Sequence, residues 1–140
     1  MRSTPDPDAG ARIEDFLAGA AYAVVGASDD RRKYGNKVLR CYLQNGRRAI
    51  PVNPNASEVE GIAAVPDLAS LPGPVHGASI ITPPDVTERI VEEAAAAGVT
   101  RLWMQPGAES QVAVRHAKAL GLSVIAGGPC VLVELGCCER

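Results

Sequence analysis

The chain has few aromatic residues, no long apolar run and no excess of positive charge. No apolar stretch approaches the roughly 20 residues that cross a bilayer, and the first residues lack the apolar core of a signal peptide. The formal net charge is -2 at pH 7, which leaves no broad basic face for nucleic acid. These absences predict a cytoplasmic protein that binds neither a membrane nor nucleic acid.

Cysteine and histidine are scarce, and their spacing fits no metal site. The four cysteines stand at positions 41, 130, 137 and 138, which matches neither paired C-x-x-C zinc ligands nor a C-x-x-C redox pair. We expect free thiols, with Cys41 as a small buried residue of a helix and with Cys137 and Cys138 exposed. Neither His76 nor His116 has a catalytic neighbour. The sequence therefore predicts no metal ion.

Apolar runs alternate with helical patterns, which is typical of βα units around a parallel sheet. An introductory helix carries Ile13, Phe16 and Leu17 on one face. The predicted strands are the one that starts at Tyr22, followed by residues 49–52, 78–81, 102–104 and 123–126. The helices predicted between and after them cover residues 36–45, 66–71, 85–97 and 110–120.

Five such units in 140 residues fit one domain. Residues 1–11, rich in Pro, Asp and Gly, are expected to form a disordered lead-in, and residues 12–140 the domain. The predicted fold class is α/β: a Rossmann-like, open, doubly wound parallel sheet of five strands in the order 3-2-1-4-5, with helices on both faces. In that order a ligand binds beyond the carboxyl ends of the strands, at the switch point between strands 1 and 4.

The segment Tyr-Ala-Val-Val-Gly-Ala-Ser, residues 22–28, is an apolar strand that ends in small residues where a helix should begin. The first N–H groups of a helix lack intrahelical partners and lie at the positive end of its dipole. Gly26, Ala27 and Ser28 are therefore predicted to bind a phosphate. A βα turn without a ligand is the alternative, because the full G-x-G-x-x-G pattern is missing. The absence of G-x-x-x-x-G-K-[ST] excludes a P-loop nucleoside triphosphatase.

The end of the second strand reads Val52-Asn53-Pro54, without the Asp or Glu that accepts both ribose hydroxyls in NAD-binding folds. The basic cluster Arg31-Arg32-Lys33 follows the first loop and suits a phosphate on the ribose. NADP and other 2′- or 3′-phosphorylated adenine nucleotides are compatible ligands, and a solvated turn is the alternative for the cluster.

Catalytic machinery is scarce in the loops that reach the switch point. They contain no histidine, no paired carboxylates and no cysteine before Cys130, and Ser28 has no base nearby. We predict no catalytic residue.

Five segments together resemble the CoA-binding domain family, whose fold is shared with the N-terminal domain of the succinyl-CoA synthetase alpha subunit. They are Val-Val-Gly-Ala-Ser at 24–28, Lys-Tyr-Gly-Asn at 33–36, Pro-Val-Asn-Pro at 51–54, Leu-Trp-Met-Gln-Pro-Gly-Ala at 102–108, and Cys130 with Glu134 four residues later. The resemblance implies a nucleotide-binding, single-domain protein that binds coenzyme A across the switch point.

The resemblance also implies roles for individual loops. Residues 26–28 would contact the diphosphate, 51–54 would lie near the adenosine, 82–84 would lie near the ligand, and 105–107 would approach the pantetheine arm. Independently of the resemblance, the position and charge of the basic cluster at residues 31–33, just past the phosphate turn, predict that it holds the ribose 3′-phosphate, with Arg47 or Arg48 as the alternative. The predicted ligand-binding residues are Gly26, Ala27, Ser28, Arg31, Arg32, Lys33, Asn53, Pro54, Thr82, Pro83, Pro84, Gln105, Pro106 and Gly107.

The function implied is binding of coenzyme A or an acyl-CoA by a non-catalytic binding or regulatory module. We expect no counterpart of the synthetase domain that bears a phosphorylated histidine, since residues 12–140 are assigned to one domain. In addition, Gly127-Gly128-Pro129 replaces the more polar run before the family's cysteine, so no ligand contact is predicted at Cys130. The alternatives are an NADP-dependent oxidoreductase and a CoA-responsive partner subunit of a larger enzyme. A protein partner or a homo-oligomer is compatible with these readings.

Overall fold

Strands and helices alternate along the whole described part of the chain. The structure is a computed structural model that describes residues 8–137. Its elements are α1 (Ala9–Leu17), β1 (Ala21–Val25), α2 (Tyr34–Gln44), β2 (Arg48–Val52), β3 (Glu58–Val59), β4 (Ile62–Ala63), a 3-10 turn (Leu68–Ser70), β5 (Gly77–Ile80), α3 (Pro84–Ala96), β6 (Arg101–Met104), α4 (Gln111–Ala119), β7 (Ser123–Ile125) and α5 (Val131–Glu134). Within residues 8–137, none of the helices is long and apolar enough to cross a membrane.

Five parallel strands form one sheet in the order β2-β1-β5-β6-β7. In the register of its centre, Ala23 of β1 lies between Ile50 of β2 and Ala78 of β5. The short strands β3 and β4 form a separate antiparallel hairpin. The predicted α/β class, with a five-stranded parallel sheet and helices on both faces, is confirmed.

The order of the strands differs from the predicted 3-2-1-4-5. Counted along the chain, the five strands of the sheet run 2-1-3-4-5, because β5 pairs with β1 rather than lying outside β2. Packing explains this central place: every residue of β5 is buried, and the hydroxyl groups of Tyr42 in α2 and Ser79 in β5 lie 2.6 Å apart in a hydrogen bond. The switch point consequently lies between β1 and β5, which is the rule for this second common doubly wound order.

Alternating side chains of the strands pack against helices on the two faces of the sheet. Ala23 and Val25 face the layer that contains α3, α4 and the 3-10 turn, whereas Tyr22 and Val24 face α1, α2 and α5. The few aromatic residues are concentrated on this second face, where the rings of Tyr22 and Tyr42 stack at 4.6 Å. Both faces of the sheet are thus covered, and its carboxyl edge is left for a ligand.

Part of the stretch 1–11, which was expected to be a disordered lead-in, is described by the structure. Helix α1 begins at Ala9, inside the stretch 1–11. Residues 1–7 lie outside the described residues.

The expectation of free thiols is wrong for two of the cysteines. Cys41 and Cys137 form a disulfide, with 5.8 Å between their Cα atoms, although 96 positions separate them in the chain. The chain turns back after α5 and places Cys137 against α2, which spacing along the sequence cannot reveal. Cys130 remains a free cysteine, and Cys138 lies outside the described residues.

Candidate functional site

A glycine turn follows β1 at the switch point. Gly26 has a φ of +96°, and its N–H donates a hydrogen bond of 3.0 Å to the carbonyl oxygen of Val52. A Cβ at this position would clash with the carbonyl oxygen of Ile81, which follows β5. Only glycine fits here, since both the backbone conformation and the close approach exclude a side chain.

Two amide side chains hold the carbonyl groups of this turn. Asn53 donates a 2.7 Å hydrogen bond to the carbonyl oxygen of Ala27, and Asn36 donates one of the same length to that of Ser28. The backbone N–H groups of Ala27 and Ser28 have no acceptor within residues 8–137. The turn therefore keeps its carbonyl oxygens engaged and its N–H donors available.

The N-terminus of α2 adds further donors. No side chain caps the start of this helix at Lys33. Gly35 packs so closely against the turn that a Cβ there would clash with the carbonyl oxygen of Gly26 and lie 3.2 Å from the Cα of Ala27. The unpaired N–H groups and the positive end of the α2 dipole thus lie beside the turn, which is the arrangement of an anion-binding site.

A cavity of about 280 Å³ opens next to the turn, between the ends of β1 and β2 and helix α3. It brings together four predicted site residues: Gly26, Asn53, Pro54 and Thr82. Its apolar walls include Val52 and Val86.

Arg89 of α3 lines the same cavity, and sequence reasoning missed it. Within the described residues the exposed side chain of this arginine has no ion pair or hydrogen bond. The available signal was a basic residue in the second turn of the helix after β5, but the predicted strand order placed the switch point elsewhere. The nearby Glu93 accepts a 2.7 Å hydrogen bond from the backbone N–H of Leu68.

The basic cluster after the turn is largely paired with acids. Arg31 lies 3.3 Å from the carboxylate of Glu60, and Arg32 makes two hydrogen bonds of 3.0 Å to that of Asp30. These hydrogen bonds lower the pKa of Asp30. Glu60 also accepts a hydrogen bond from Asn36, which lowers the pKa of its carboxyl group. Arg31 and Arg32 thus have acidic partners before any ligand arrives.

The alternative phosphate ligands, Arg47 and Arg48, lie at the other edge of the sheet. Arg48 is the first residue of β2, and Arg47 donates a 2.9 Å hydrogen bond to the carbonyl oxygen of Leu17. Parallel strands carry their ligands at the carboxyl ends, so these arginines are remote from the turn.

The loop after β5 is stiffened by its own hydrogen bonds. The hydroxyl groups of Thr82 and the buried Thr87 lie 2.7 Å apart, and Thr87 also bonds the carbonyl oxygen of Pro83. Pro84 is the first residue of α3. Of the predicted residues in this loop, Thr82 lines the cavity, and both prolines are exposed beside it.

Gln105, which follows β6, lies fully buried in a polar cluster. Its Oε1 accepts hydrogen bonds from the Tyr34 hydroxyl at 3.1 Å and from the Val131 N–H at 3.0 Å, whereas its Nε2 has no partner. The Tyr34 hydroxyl is also hydrogen-bonded to Cys130. Burial, aided by Cys130, raises the pKa of Tyr34, so its phenol stays protonated. The predicted Pro106 and Gly107 form an exposed turn next to this cluster.

A family model, a protein sequence and a solved structure each match most of this chain. The family model described as "CoA binding domain" matches residues 20–136. The uncharacterized protein YneT of Bacillus subtilis is 29% identical over 116 residues, which are 82% of this chain and 86% of that protein. A conserved hypothetical protein from Pyrococcus furiosus has a structure that matches with a TM-score of 0.78 at 38% identity, covering 81% of this chain and 97% of its own.

An enzyme subunit is also similar. The alpha subunit of the ADP-forming acetate–CoA ligase II of Pyrococcus furiosus is 31% identical over 88 residues. The match covers 62% of this chain but only 19% of that subunit.

Proposed function

Since the chain belongs to the CoA-binding domain family, we propose that it binds coenzyme A or an acyl-CoA at the carboxyl ends of its parallel strands, as a non-catalytic binding or regulatory module. The observation that carries the proposal is the turn after β1. Its carbonyl oxygens at Ala27 and Ser28 are held by Asn53 and Asn36, while its N–H groups and those of the α2 N-terminus lack acceptors. A diphosphate has the charge and the oxygens that such a site binds.

The cavity beside the turn suits the adenosine part of the ligand. Val52, Val86 and Pro54 supply apolar surface for a purine ring, and Arg89 supplies a cation at the same cavity. Coenzyme A carries a 3′-phosphate on its ribose, and an arginine without another partner is suited to bind it through charge-assisted hydrogen bonds. Arg31 and Arg32 would first have to break their ion pairs with Glu60 and Asp30.

The pantetheine arm would run from the diphosphate toward Gln105. Tyr34 begins α2 at the turn and also touches Gln105, so the two regions are continuous. The buried Nε2 of Gln105 is a hydrogen-bond donor without an acceptor. The amide carbonyls of pantetheine are acceptors that would suit it.

Calorimetric titration of the purified protein with coenzyme A, NADP and NAD tests the proposal. We expect coenzyme A to bind most tightly, because the β2 end carries Asn53 in place of a ribose-binding carboxylate. NADP binding of equal or greater affinity would replace the proposal with an NADP-dependent oxidoreductase. The fragment 3′,5′-ADP should retain part of the affinity, whereas NAD should bind weakly.

A regulatory role would need a protein partner, and the similarity to a ligase subunit supports this form of the proposal. Binding of coenzyme A should then change the affinity for that partner. The chain alone should show no sustained turnover of acyl-CoA. Continuous thioester hydrolysis by the pure protein would contradict the non-catalytic role.

A further inference from the structure

Cys130 lies at the distal end of the proposed ligand path. It immediately precedes α5, is half-buried, and is a free cysteine hydrogen-bonded to the hydroxyl group of Tyr34. Tyr34 is the first residue of α2, whose N-terminus lies beside the anion-binding turn. A thiol on the protein is therefore continuous with the region that would hold a ligand with a thiol at its end.

A second observation at this cluster is a buried donor that lacks an acceptor. Gln105 is fully buried, and its Oε1 is fixed by both Tyr34 and the N–H of Val131, the residue after Cys130. The Nε2 of the same amide has no partner within the described residues. A buried donor without an acceptor is unfavourable in a folded protein, so an acceptor supplied by a ligand would complete the cluster.

The backbone around Cys130 is held firmly. Before it, the carbonyl oxygen of Pro129 accepts a 2.9 Å hydrogen bond from the indole N–H of the buried Trp103. After it, Val131 is bonded to Gln105. The sulfur thus has a defined position relative to Tyr34 and Gln105, whereas Cys41 and Cys137 are already joined to each other.

We propose that Cys130 is a thiolation site that forms a mixed disulfide with the sulfur of a bound coenzyme A. This inference rests on the proposed function. The co-reactant is a disulfide of coenzyme A: the Cys130 thiol loses its proton to solvent, and its thiolate attacks one sulfur of that disulfide. The old S–S bond breaks as the new one forms, and the second coenzyme A leaves as a thiolate that takes up a proton. Cys130 is oxidised, and the departing sulfur is reduced.

Tyr34 is placed to assist this exchange. Its phenol stays protonated and donates its hydrogen bond to Gln105 Oε1, and in the contact between the hydroxyl and the Cys130 thiol either group can be the donor. When the thiolate forms, the hydroxyl can donate to the sulfur while Val131 continues to hold Gln105. The phenylalanine variant Tyr34→Phe keeps the ring and removes this donor, so it should slow the exchange.

Intact-mass measurement under non-reducing conditions tests the proposal. The protein, with its Cys41–Cys137 disulfide intact, is incubated with coenzyme A disulfide. We expect one coenzyme A adduct per chain, mapped to Cys130 by peptide analysis and reversed by a dithiol reductant. Cys138→Ser should keep the adduct and Cys130→Ser should lose it. No adduct, or an adduct at Cys138 alone, would overturn the proposal.

The rate distinguishes a directed reaction from general thiol reactivity. Coenzyme A disulfide should react at least about tenfold faster than glutathione disulfide at equal concentration, because binding raises its effective concentration at Cys130. Acetyl-CoA, whose sulfur is blocked, should compete and slow the reaction. Equal rates with the two disulfides would mean that no ligand site directs the exchange.

Calorimetry with reduced coenzyme A separates this proposal from the proposed function. If the protein binds coenzyme A reversibly but forms no adduct at Cys130, only the thiolation site is wrong. If it does not bind coenzyme A at all, the proposed function fails too.

Discussion

Single side chains hold the turn after β1 in its shape, and Asn53 is the clearest case. Its Nδ2 donates to the carbonyl oxygen of Ala27, and its Oδ1 accepts from the N–H of Asn55. Asn53→Ala removes both bonds, and we expect coenzyme A to bind about tenfold more weakly, which corresponds to roughly 1.4 kcal/mol. Titration calorimetry measures the change. Asn55→Ala alters only an exposed side chain of the same loop and should leave the affinity unchanged; equal losses in the two variants would contradict the role of Asn53.

Gly35 is a second position where close packing against the turn leaves room only for glycine. A Cβ at this position would meet the carbonyl oxygen of Gly26, so Gly35→Ala must push the start of α2 away from the turn. We expect a loss of about 1–3 kcal/mol in the free energy of unfolding, together with weaker binding of coenzyme A. Gly10→Ala is the matched control, because Gly10 also lies in a helix and has nothing within 4 Å of an added Cβ. Denaturant unfolding of both variants gives the comparison, and a fully stable Gly35→Ala would show that α2 can move freely.

Arg89 is the residue that we expect to recognise the ribose 3′-phosphate. Dephospho-CoA should bind more weakly than coenzyme A to the natural protein, by about tenfold, with some reduction because Arg89 is exposed to solvent. Arg89→Ala should bind the two ligands almost equally. The triple variant with alanine at positions 31, 32 and 33 should still discriminate between them, since Arg31 and Arg32 are paired with Glu60 and Asp30. The opposite result, with discrimination lost only in the triple variant, would mean that the basic cluster at residues 31–33 binds the 3′-phosphate.

At the scale of the elements, the Cys41–Cys137 disulfide joins α2 to the segment that follows α5. A cross-link over a long stretch of chain restricts the unfolded state, and such links contribute typically about 2–4 kcal/mol to stability. We therefore expect reduction, or the double variant Cys41→Ser with Cys137→Ser, to lower the melting temperature. Cys130→Ser lies outside the disulfide and should respond to reductant as the natural protein does. An unchanged melting temperature after complete reduction would mean that packing alone holds α5 in place.

The elements themselves were predictable where a long pattern repeats, and their arrangement was not. Apolar runs located the five strands of the sheet, because buried parallel strands carry nearly continuous apolar residues. Their order depends on which side of β1 the chain takes after β2, and no local pattern encodes that choice. The connection also contains the hairpin β3–β4, whose strands have two residues each and leave no periodic signal. The segment expected as helix 66–71 is only the short 3-10 turn Leu68–Ser70.

The same limit applies to the site. The small residues after β1 predicted the tight turn that the structure shows at Gly26, since that signal is local. Arg89 and the orphan Nε2 of Gln105 depend on packing between distant elements, so only the structure reveals them. Cys130 is similar: its contact with Tyr34 joins residues 96 positions apart.

For the molecule as a whole, a ligand that binds only the folded state raises its stability by an amount set by concentration and affinity. At a hundred times the dissociation constant the gain is about 2.7 kcal/mol, which raises the melting temperature of a domain of this size by roughly 10 °C. We expect that shift with coenzyme A and a much smaller one with the same concentration of NAD, which has no phosphate at the 2′ or 3′ position of its adenosine ribose. The Arg89→Ala variant should shift less with coenzyme A than the natural protein does. Equal shifts with coenzyme A and NAD would show that the site reads only a diphosphate, and the cavity beside Asn53 and Arg89 would then contribute nothing to the choice of ligand.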